Sequence, residues 1–234
     1  MGQNGDFSNK KVFLVNGKPR AGKDTFGIAV KRELGVYSIN FRHLSSITPI
    51  KQTLLSEEKH DRVLLPDSVY PWLRSIKDSI PDLVGRDWDG ETKDNFWRWA
   101  MSELKHKIVE RDSDFLYLWI LRMINETPDP AVVFVDAREP WFINGFWGYE
   151  KKMAGFTGGL QGGNVLVLSD SYDHSIANPS DDAVFDLEYD WYVDNYRDLR
   201  HGFRAHQIQN EAFLFIHSEL VKARDMSSKL ERRF

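Results

Sequence analysis

Short apolar runs alternate with stretches of helical periodicity along most of the chain. The first run spans Val12 to Val15, and Phe26, Val30 and Leu34 then recur at helical spacing before Gly35. A continuous apolar run is typical of a parallel strand that is covered on both faces. The pattern therefore predicts an α/β fold of three layers, in which helices flank a central, mainly parallel sheet.

The same pattern predicts the remaining elements. Helices are expected over residues 46–57, 91–112, 113–125 and 203–223, with one more around Trp141, Phe142 and Phe146, and strands over residues 36–41, 131–136, 164–168 and 189–193. Three prolines and two glycines interrupt residues 58–90, which predicts an irregular insertion or lid with short helices. All 234 residues are interpreted as one domain, with an acidic segment at 170–194.

The turn after the first strand carries the most specific motif in the chain. Gly17 and Gly22 bracket a loop that Lys23 follows, so the segment matches G-x-x-x-x-G-K-[ST] except that Asp24 replaces the hydroxyl residue and Thr25 comes one place later. Such a loop turns its N–H groups toward a phosphate. The residues predicted to bind the phosphates of a nucleotide are Gly17, Arg20, Ala21, Gly22, Lys23, Asp24 and Thr25.

A carboxylate and an arginine end the apolar run at residues 131–136. Asp136 lies where a phosphate-binding protein places the acid that orients Mg²⁺ or its waters. The alternative is that Asp136 caps the helix after Arg138, Glu139 and Pro140. Arg138 would face the phosphates, or it would form an ordinary surface salt bridge.

Four cations are candidates for holding an anionic acceptor on the segments after the second strand. They are Arg42, Lys51, Arg98 and Lys105. The alternative for each one, taken alone, is a solvated surface charge. Phe41, Trp97 and Trp99 would stack on a base or, as helix-spaced aromatics often do, pack in the core. His174, His201 and His206 lack metal-ligand spacing.

Composition excludes several kinds of function. The chain has no cysteine, so a disulfide framework, a thiolate zinc site and a cysteine nucleophile are all excluded. A formal net charge of −4, with the cations spread along the chain, makes long nucleic acid an unlikely partner. No run approaches the roughly 18 apolar residues of a spanning helix, and residues 1–10 are polar, so a cytoplasmic protein without membrane association is expected. The sequence leaves open whether the protein forms a homodimer.

Several segments together resemble the phage deoxynucleoside monophosphate kinases. They are the Gly-Lys-Asp loop of residues 13–25, the turn at 48–51, Arg98, the strand end at 135–138 and residues 189–195. Animal phosphomevalonate kinases share the Gly-Lys-Asp variant. The resemblance implies a P-loop nucleoside monophosphate kinase-like fold, ATP with Mg²⁺ as donor, and a (deoxy)nucleoside 5′-monophosphate as acceptor.

Carried over by position, the resemblance also implies roles for single residues. Lys23 would bridge the donor phosphates, and Asp24 or Thr25 would serve the metal together with Asp136. Catalysis would rest on Lys23, Asp136 and Arg138. Lys51, Arg98 and Arg138 would face the phosphates.

One departure concerns the cationic lid that such kinases close over the transferring group. Residues 153–196 contain no Lys or Arg, and residues 170–194 are rich in acids. Three explanations are open. Arg20 and Arg138 would supply the positive charge from the core side, or phosphoryl-transfer activity has been altered. Otherwise the lid is the 58–90 insertion, whose cations are Arg62, Arg74, Lys77 and Arg86. A kinase for another acceptor, such as a phosphorylated isoprenoid precursor or a hydroxymethylated base in DNA, and a nucleotide-binding protein without transferase activity are the alternatives.

Overall fold

The structure, a computed structural model, describes residues 10–92, 94–153, 159–169, 183–195 and 207–219. It divides into two compact units. The first, called the sheet unit, comprises Met1–His43 and Thr127–Phe234, and the second, called the helical unit, comprises Leu44–Glu126. The predicted insertion at 58–90 lies within the helical unit, and its role as a lid stays a prediction, as does the single-domain organisation.

Five strands form one sheet. They are β1 (Lys10–Asn16), β2 (Asn40–Ser45), β3 (Ala131–Asp136), β4 (Gln161–Leu168) and β5 (Trp191–Asp194). The strands lie in the order β2-β3-β1-β4-β5, and the pairs β1–β3, β1–β4 and β4–β5 are parallel. In this register Val15 lies beside Asp136, so the ends of β1 and β3 meet at the same sheet edge.

Helices cover both faces of the sheet. The helices of this unit are α1 (Lys23–Val36), α6 (Pro140–Lys152) and α7 (residues 207–219). On one face an aromatic core joins Phe13 of β1, Phe26 of α1, Phe134 of β3 and Phe215 of α7, with ring centroids 4.7 Å apart for Phe13–Phe215 and 5.5 Å for Phe26–Phe134.

The opposite face of the strands is also buried, at Val12, Leu14, Val133 and Leu166 among others. The indole Nε1 of Trp147 in α6 donates to Oδ1 of Asn164 on β4, over a distance of 2.9 Å. Because strands buried on both faces need no polar alternation, this packing explains their continuous apolar sequence. The predicted α/β fold with a parallel central sheet between helices is confirmed.

The helical unit contains the remaining helices, α2 (Thr48–Leu54), α3 (Tyr70–Asp78), α4 (Asn95–Arg111) and α5 (Phe115–Asn125), with a short 3₁₀ helix at Pro81–Leu83. Asp94 caps α4 by accepting a hydrogen bond from the Trp97 N–H. Two indole N–H groups hold irregular segments in place. Trp88 donates a hydrogen bond to the carbonyl oxygen of Thr92, and Trp119 donates one to the carbonyl oxygen of Leu64. The predicted helices at 91–112 and 113–125 are confirmed to within a turn.

The bounds of the strand predicted over residues 36–41 are wrong, although a second strand is present and overlaps that range at Asn40 and Phe41. Val36 is the last residue of α1, because the helix continues through Gly35. Ser38 then adopts a left-handed conformation with φ of 55°, and β2 begins only at Asn40. The apolar residues at the end of α1 resemble the start of a strand, which explains the incorrect bounds. The strand in the structure begins later and therefore includes residues 42–45.

The other predicted elements agree more closely with the structure. The strand over 131–136 is confirmed, while β4 begins three residues before the predicted 164–168 strand and β5 ends one residue after the predicted 189–193 strand. Of the helix predicted over 203–223, residues 207–219 are helical and the rest lie outside the described residues. Most of the acidic segment, residues 170–182, also lies outside them. Among the described residues, no helix is both long and apolar enough to cross a membrane.

Candidate active site

The loop between β1 and α1 adopts the conformation that its glycines permit. Gly17 and Gly22 have positive φ angles of 149° and 97°, and Arg20 between them also lies in the left-handed region, with φ of 62°. A Cβ atom on Gly17 would lie 2.6 Å from the carbonyl oxygen of Val167. Left-handed residues within a short loop turn successive N–H groups toward one side, which makes an anion-binding concavity.

Helix α1 continues this concavity. Gly22 is its N-cap residue and has no side chain to accept hydrogen bonds from the first turn. The amides at the start of this 14-residue helix therefore face the loop, together with the positive end of the helix dipole. Loop and helix end provide the chemistry that binds a phosphate group.

Lys23 folds back over the loop. Its Nζ atom donates to the carbonyl oxygen of Gly17 at 2.7 Å and to that of Lys18 at 3.3 Å. The ammonium group is therefore held beside the concavity by carbonyl oxygens, which a phosphate oxygen could replace as its acceptor. The role of Lys23 in binding a phosphate stays a prediction of the motif.

Three metal-ligating side chains meet next to the loop. Ligand atoms of Asp24, His43 and Asp136 all lie within 4.8 Å of one another. Asp24 comes from the first turn of α1, His43 from β2 and Asp136 from the end of β3. Since β2, β3 and β1 are neighbours in the sheet, the strand order itself brings these residues together.

The close pairing of His43 with Asp136 determines the electrostatics of this cluster. His43 Nε2 lies 3.0 Å from Asp136 Oδ1. This contact raises the pKa of His43 above its ordinary value, burial of the ring opposes the change, and the charges of Asp136 and Asp24 add to it while that of Lys23 counteracts it. The imidazolium form is therefore favoured when no other cation occupies the cluster.

The donor set fits a divalent cation. Two carboxylates supply the oxygen ligands that Mg²⁺ takes, and the imidazole adds a nitrogen ligand, which suits Mn²⁺ and later transition metals better than Mg²⁺. Sequence analysis chose Asp24 and Asp136 but did not consider His43. Thr25 is exposed in the first turn of α1, and its role as a metal ligand stays a prediction.

The alternative role of Asp136 as a helix cap is not what the structure shows. The N-cap residue of α6 is Glu139, three residues later. Arg138 lies two residues after the end of β3 and is half-buried, and Arg42 lies on β2 with its NH1 atom 3.3 Å from Thr127 Oγ1. Arg42 therefore lies on a strand that borders the acidic cluster, and Arg138 lies just beyond the end of the neighbouring strand.

The other predicted acceptor residues belong to the helical unit. Lys51 lies on α2, and Arg98 and Lys105 lie on α4. Arg98 is exposed, whereas Lys51 and Lys105 are half-buried. Their roles stay predictions.

The cations of the 58–90 insertion bind partners within the helical unit. Arg62 pairs with Asp67, and Arg74 and Lys77 both reach Oδ1 of Asp87, at 2.8 and 2.7 Å. The guanidinium carbon of Arg86 lies 5.1 Å from the centre of the Phe96 ring. All four candidate lid cations thus take part in contacts that stabilise this unit itself.

Two asparagines contact the loop at its ends. Asn16, which is fully buried, accepts a hydrogen bond from the Gly17 N–H at 2.7 Å. At the other end, Asn195 Nδ2 donates to the carbonyl oxygen of Ala21 at 2.8 Å. Sequence analysis missed both roles, although residues 189–195 were among the segments that carry the resemblance.

Comparisons with known proteins give little beyond the geometry. No protein-family model matches the sequence, and no curated protein matches it either. The chain is similar to a mutant of the Mycobacterium tuberculosis APS kinase CysC, at 12% sequence identity and a TM-score of 0.40, over 89% of this chain and 95% of that one. A likeness this distant assigns no activity. The chain's own sheet and loop define it as an α/β protein with a P-loop between β1 and α1.

Proposed function

We propose that this protein is a P-loop phosphotransferase that uses ATP together with a divalent cation. The observation that carries the proposal is the position of Lys23, which lies over the glycine loop with Asp24, His43 and Asp136 beside it. Loop amides and a lysine bind phosphate oxygens, and a carboxylate cluster binds the cation that accompanies them.

The proposed mechanism is one of positioning and charge neutralisation. The amides of residues 17–22 and the start of α1 would hold the donor phosphates, and Lys23 would neutralise their oxygens. Asp24, Asp136 and His43 would hold the cation, which supplies further positive charge to the phosphates. Arg20 lies within the loop and Arg138 two residues after Asp136, and these two arginines would add positive charge beside the phosphates. Phosphoryl transfer between bound substrates requires no covalent intermediate with the protein.

For the acceptor we propose a (deoxy)nucleoside 5′-monophosphate. The support is the resemblance of the sequence to the phage deoxynucleoside monophosphate kinases. Lys51, Arg98 and Arg138 are the residues that the resemblance assigns to the phosphates, with Arg42 and Lys105 as additional cations. An anionic acceptor needs such cations because its own charge repels the donor.

An acceptor screen with ATP labelled at the γ-phosphate tests this proposal. The full-length protein is incubated with labelled ATP, Mg²⁺ or Mn²⁺, and single acceptors: the common nucleoside and deoxynucleoside monophosphates, phosphomevalonate, and DNA containing a hydroxymethylated base. Label in one nucleoside diphosphate is the expected result. If only another acceptor is labelled, the protein is still a phosphotransferase, but the proposed acceptor is wrong.

A second candidate is a nucleotide-binding protein without transferase activity. This candidate is favoured because the four cations of the 58–90 insertion contact partners inside the helical unit, whereas a lid needs cations that reach the transferring phosphoryl group. The four are Arg62, Arg74, Lys77 and Arg86. Tight ATP binding in calorimetry with no label in any acceptor would support this candidate. Failure to bind ATP would overturn both proposals.

A further inference from the structure

The two contacts at the ends of the phosphate loop come from the same stretch of chain. Asn16 reaches Tyr189, and Ala21 receives its hydrogen bond from Asn195. Tyr189 precedes β5 and Asn195 follows it, so a short stretch around one strand holds both ends of the loop. The loop itself is more than 160 residues away in sequence.

The contact at the first end is a directed chain of hydrogen bonds. The Asn16 side chain accepts from the Gly17 N–H with Oδ1 and donates with Nδ2 to the Tyr189 hydroxyl at 2.8 Å. That hydroxyl in turn donates to the carbonyl oxygen of Val184 at 2.7 Å. An exchange of Oδ1 and Nδ2 would set two donors against each other at the Gly17 N–H, and the Tyr189 hydroxyl could donate to Oδ1 only by giving up Val184 O, so the chain has one orientation.

Burial keeps this chain intact. Asn16 is fully buried, and burial raises the pKa of Tyr189 to about 12, against the opposing effect of its hydrogen bond with Asn16. The hydroxyl therefore stays protonated and keeps donating to Val184 throughout the neutral range. A buried amide that lost its acceptor would be left unpaired, which is costly.

The contact at the second end acts on the peptide that enters α1. Asn195 Nδ2 donates to the Ala21 carbonyl, and the Asn195 backbone N–H donates to Leu168 O at 2.8 Å, which anchors Asn195 to β4. The same Nδ2 atom occupies the space that a Cβ on Gly22 would need. Since the Ala21 carbonyl and the Gly22 N–H belong to one peptide plane, holding the carbonyl aims the N–H in the opposite direction.

We propose that Tyr189 and Asn195 are positioning residues of the phosphate loop: through Asn16 and Ala21 they hold its two ends in the conformation that binds a nucleotide's phosphates. Neither needs to touch the ligand. A further contact, Lys18 Nζ at 5.2 Å from the centre of the Phe185 ring, joins the loop to the 3₁₀ turn at Ala183–Asp186 that provides the Val184 acceptor.

The variants Asn195→Ala and Tyr189→Phe test this inference. Asn195→Ala removes one donor, and Tyr189→Phe removes a single oxygen atom and keeps the ring, so at least the second is expected to fold. Two matched controls remove similar groups from the same region without touching the loop. Asn164→Ala deletes an amide that donates to Glu188 O and accepts from the Trp147 indole, and Tyr192→Phe deletes the hydroxyl of an exposed tyrosine.

The first measurement needs no nucleotide. Hydrogen exchange of peptides that span residues 17–22 is followed in the full-length protein without ligand. Faster exchange in Asn195→Ala and Tyr189→Phe, with unchanged exchange in both controls, is the expected result. Exchange rates in the two test variants equal to those of the unmodified protein would overturn the inference.

The second measurement rests on the proposed function and uses ATP as the probe. Calorimetry is expected to show ATP binding weakened about tenfold in each test variant and unchanged in the controls. In an active enzyme, KM for ATP rises and KM for the acceptor does not. If the unmodified protein binds ATP and the test variants bind it equally well, the inference is overturned and the proposed function stands. If the unmodified protein binds no ATP, the proposed function fails, and the exchange measurement still decides the positioning role.

Discussion

The Nε2 atom of His43 lies 3.0 Å from Oδ1 of Asp136, where β2 and β3 run side by side. This pair places an imidazole next to the carboxylate that sequence analysis chose as a metal ligand. It also couples the charge state of the candidate cation site to pH.

The stability of the sheet unit should depend on His43 in a pH-dependent way. The pKa of His43 is raised by its close contact with Asp136 and by the charge of Asp24, against burial and the charge of Lys23. A raised folded-state pKa stabilises the protein fully below the unfolded value of about 6.5, and this contribution is lost as pH rises through the folded value. The destabilisation caused by His43→Gln should therefore be larger at pH 5.5 than at pH 9.

Urea unfolding at both pH values in the presence of a chelator measures this difference. His106→Gln, which alters the exposed ion pair with Glu110, is the control and should change the free energy of unfolding little at either pH. A destabilisation by His43→Gln that is constant, or that grows toward pH 9, would contradict the prediction.

The cation site should prefer Mn²⁺ to Mg²⁺. The nitrogen ligand of His43 raises affinity for first-row transition metals more than for Mg²⁺, which prefers oxygen. Calorimetric titration of the nucleotide-free protein is expected to show tighter binding of Mn²⁺. His43→Gln should weaken Mn²⁺ binding by at least about tenfold and Mg²⁺ binding less.

Asp24→Asn provides the contrast, because loss of a carboxylate should weaken the binding of both cations. An identical loss of Mg²⁺ and Mn²⁺ affinity in His43→Gln would show that the imidazole is not a ligand.

Lys23 should contribute most of the charge neutralisation that the protein itself supplies to the donor. Removal of one preorganised donor from a transition state costs about 100- to 1000-fold in rate. Lys23→Ala is therefore expected to lower kcat/KM by about that factor in the acceptor that the screen identifies. Lys31→Ala, an exposed lysine on the same helix, is the matched control. Full activity in Lys23→Ala would refute the proposed donor site.

The helical unit should depend strongly on Asp87. Lys77 is fully buried and donates to Asp87, which Arg74 also contacts. Asp87→Ala would leave the Lys77 charge buried and unpaired, so we expect a loss of about 3 kcal/mol, at the low end of the range for broken buried pairs because the Asp87 side chain is 39% exposed.

Urea unfolding tests this, with the exposed Asp82→Ala as control, which should stay within about 0.5 kcal/mol of the unmodified protein. Burial tends to raise the pKa of Asp87, but the hydrogen bonds from Lys77 and Arg74 outweigh it and lower the pKa. The stabilisation should accordingly be lost as pH falls through that lowered value. Equal stability of Asp87→Ala and Asp82→Ala would contradict the prediction.

Much of the loop and its neighbours could be predicted because the signals are local. The apolar run of β1, the two glycines and Lys23 are contiguous, and the 131–136 strand is apolar up to Asp136. The error at residues 36–41 was local as well: Val36 and Tyr37 look like the start of a strand, yet the helix extends over Val36 because its earlier residues are packed against the sheet. The predicted strand ends at Phe41 and so leaves out His43, which lies on β2 in the structure.

The sequence by itself determined the phosphate loop, the parallel character of the central strands and two of the three residues of the cation cluster, since each depends on neighbours in the chain. Only the tertiary structure decided that His43 joins Asp24 and Asp136, because their proximity requires the strand order β2-β3-β1. It also decided that Tyr189 and Asn195 reach the loop, across 173 and 174 residues. Such contacts arise from sheet packing, for which single side chains carry no local signal.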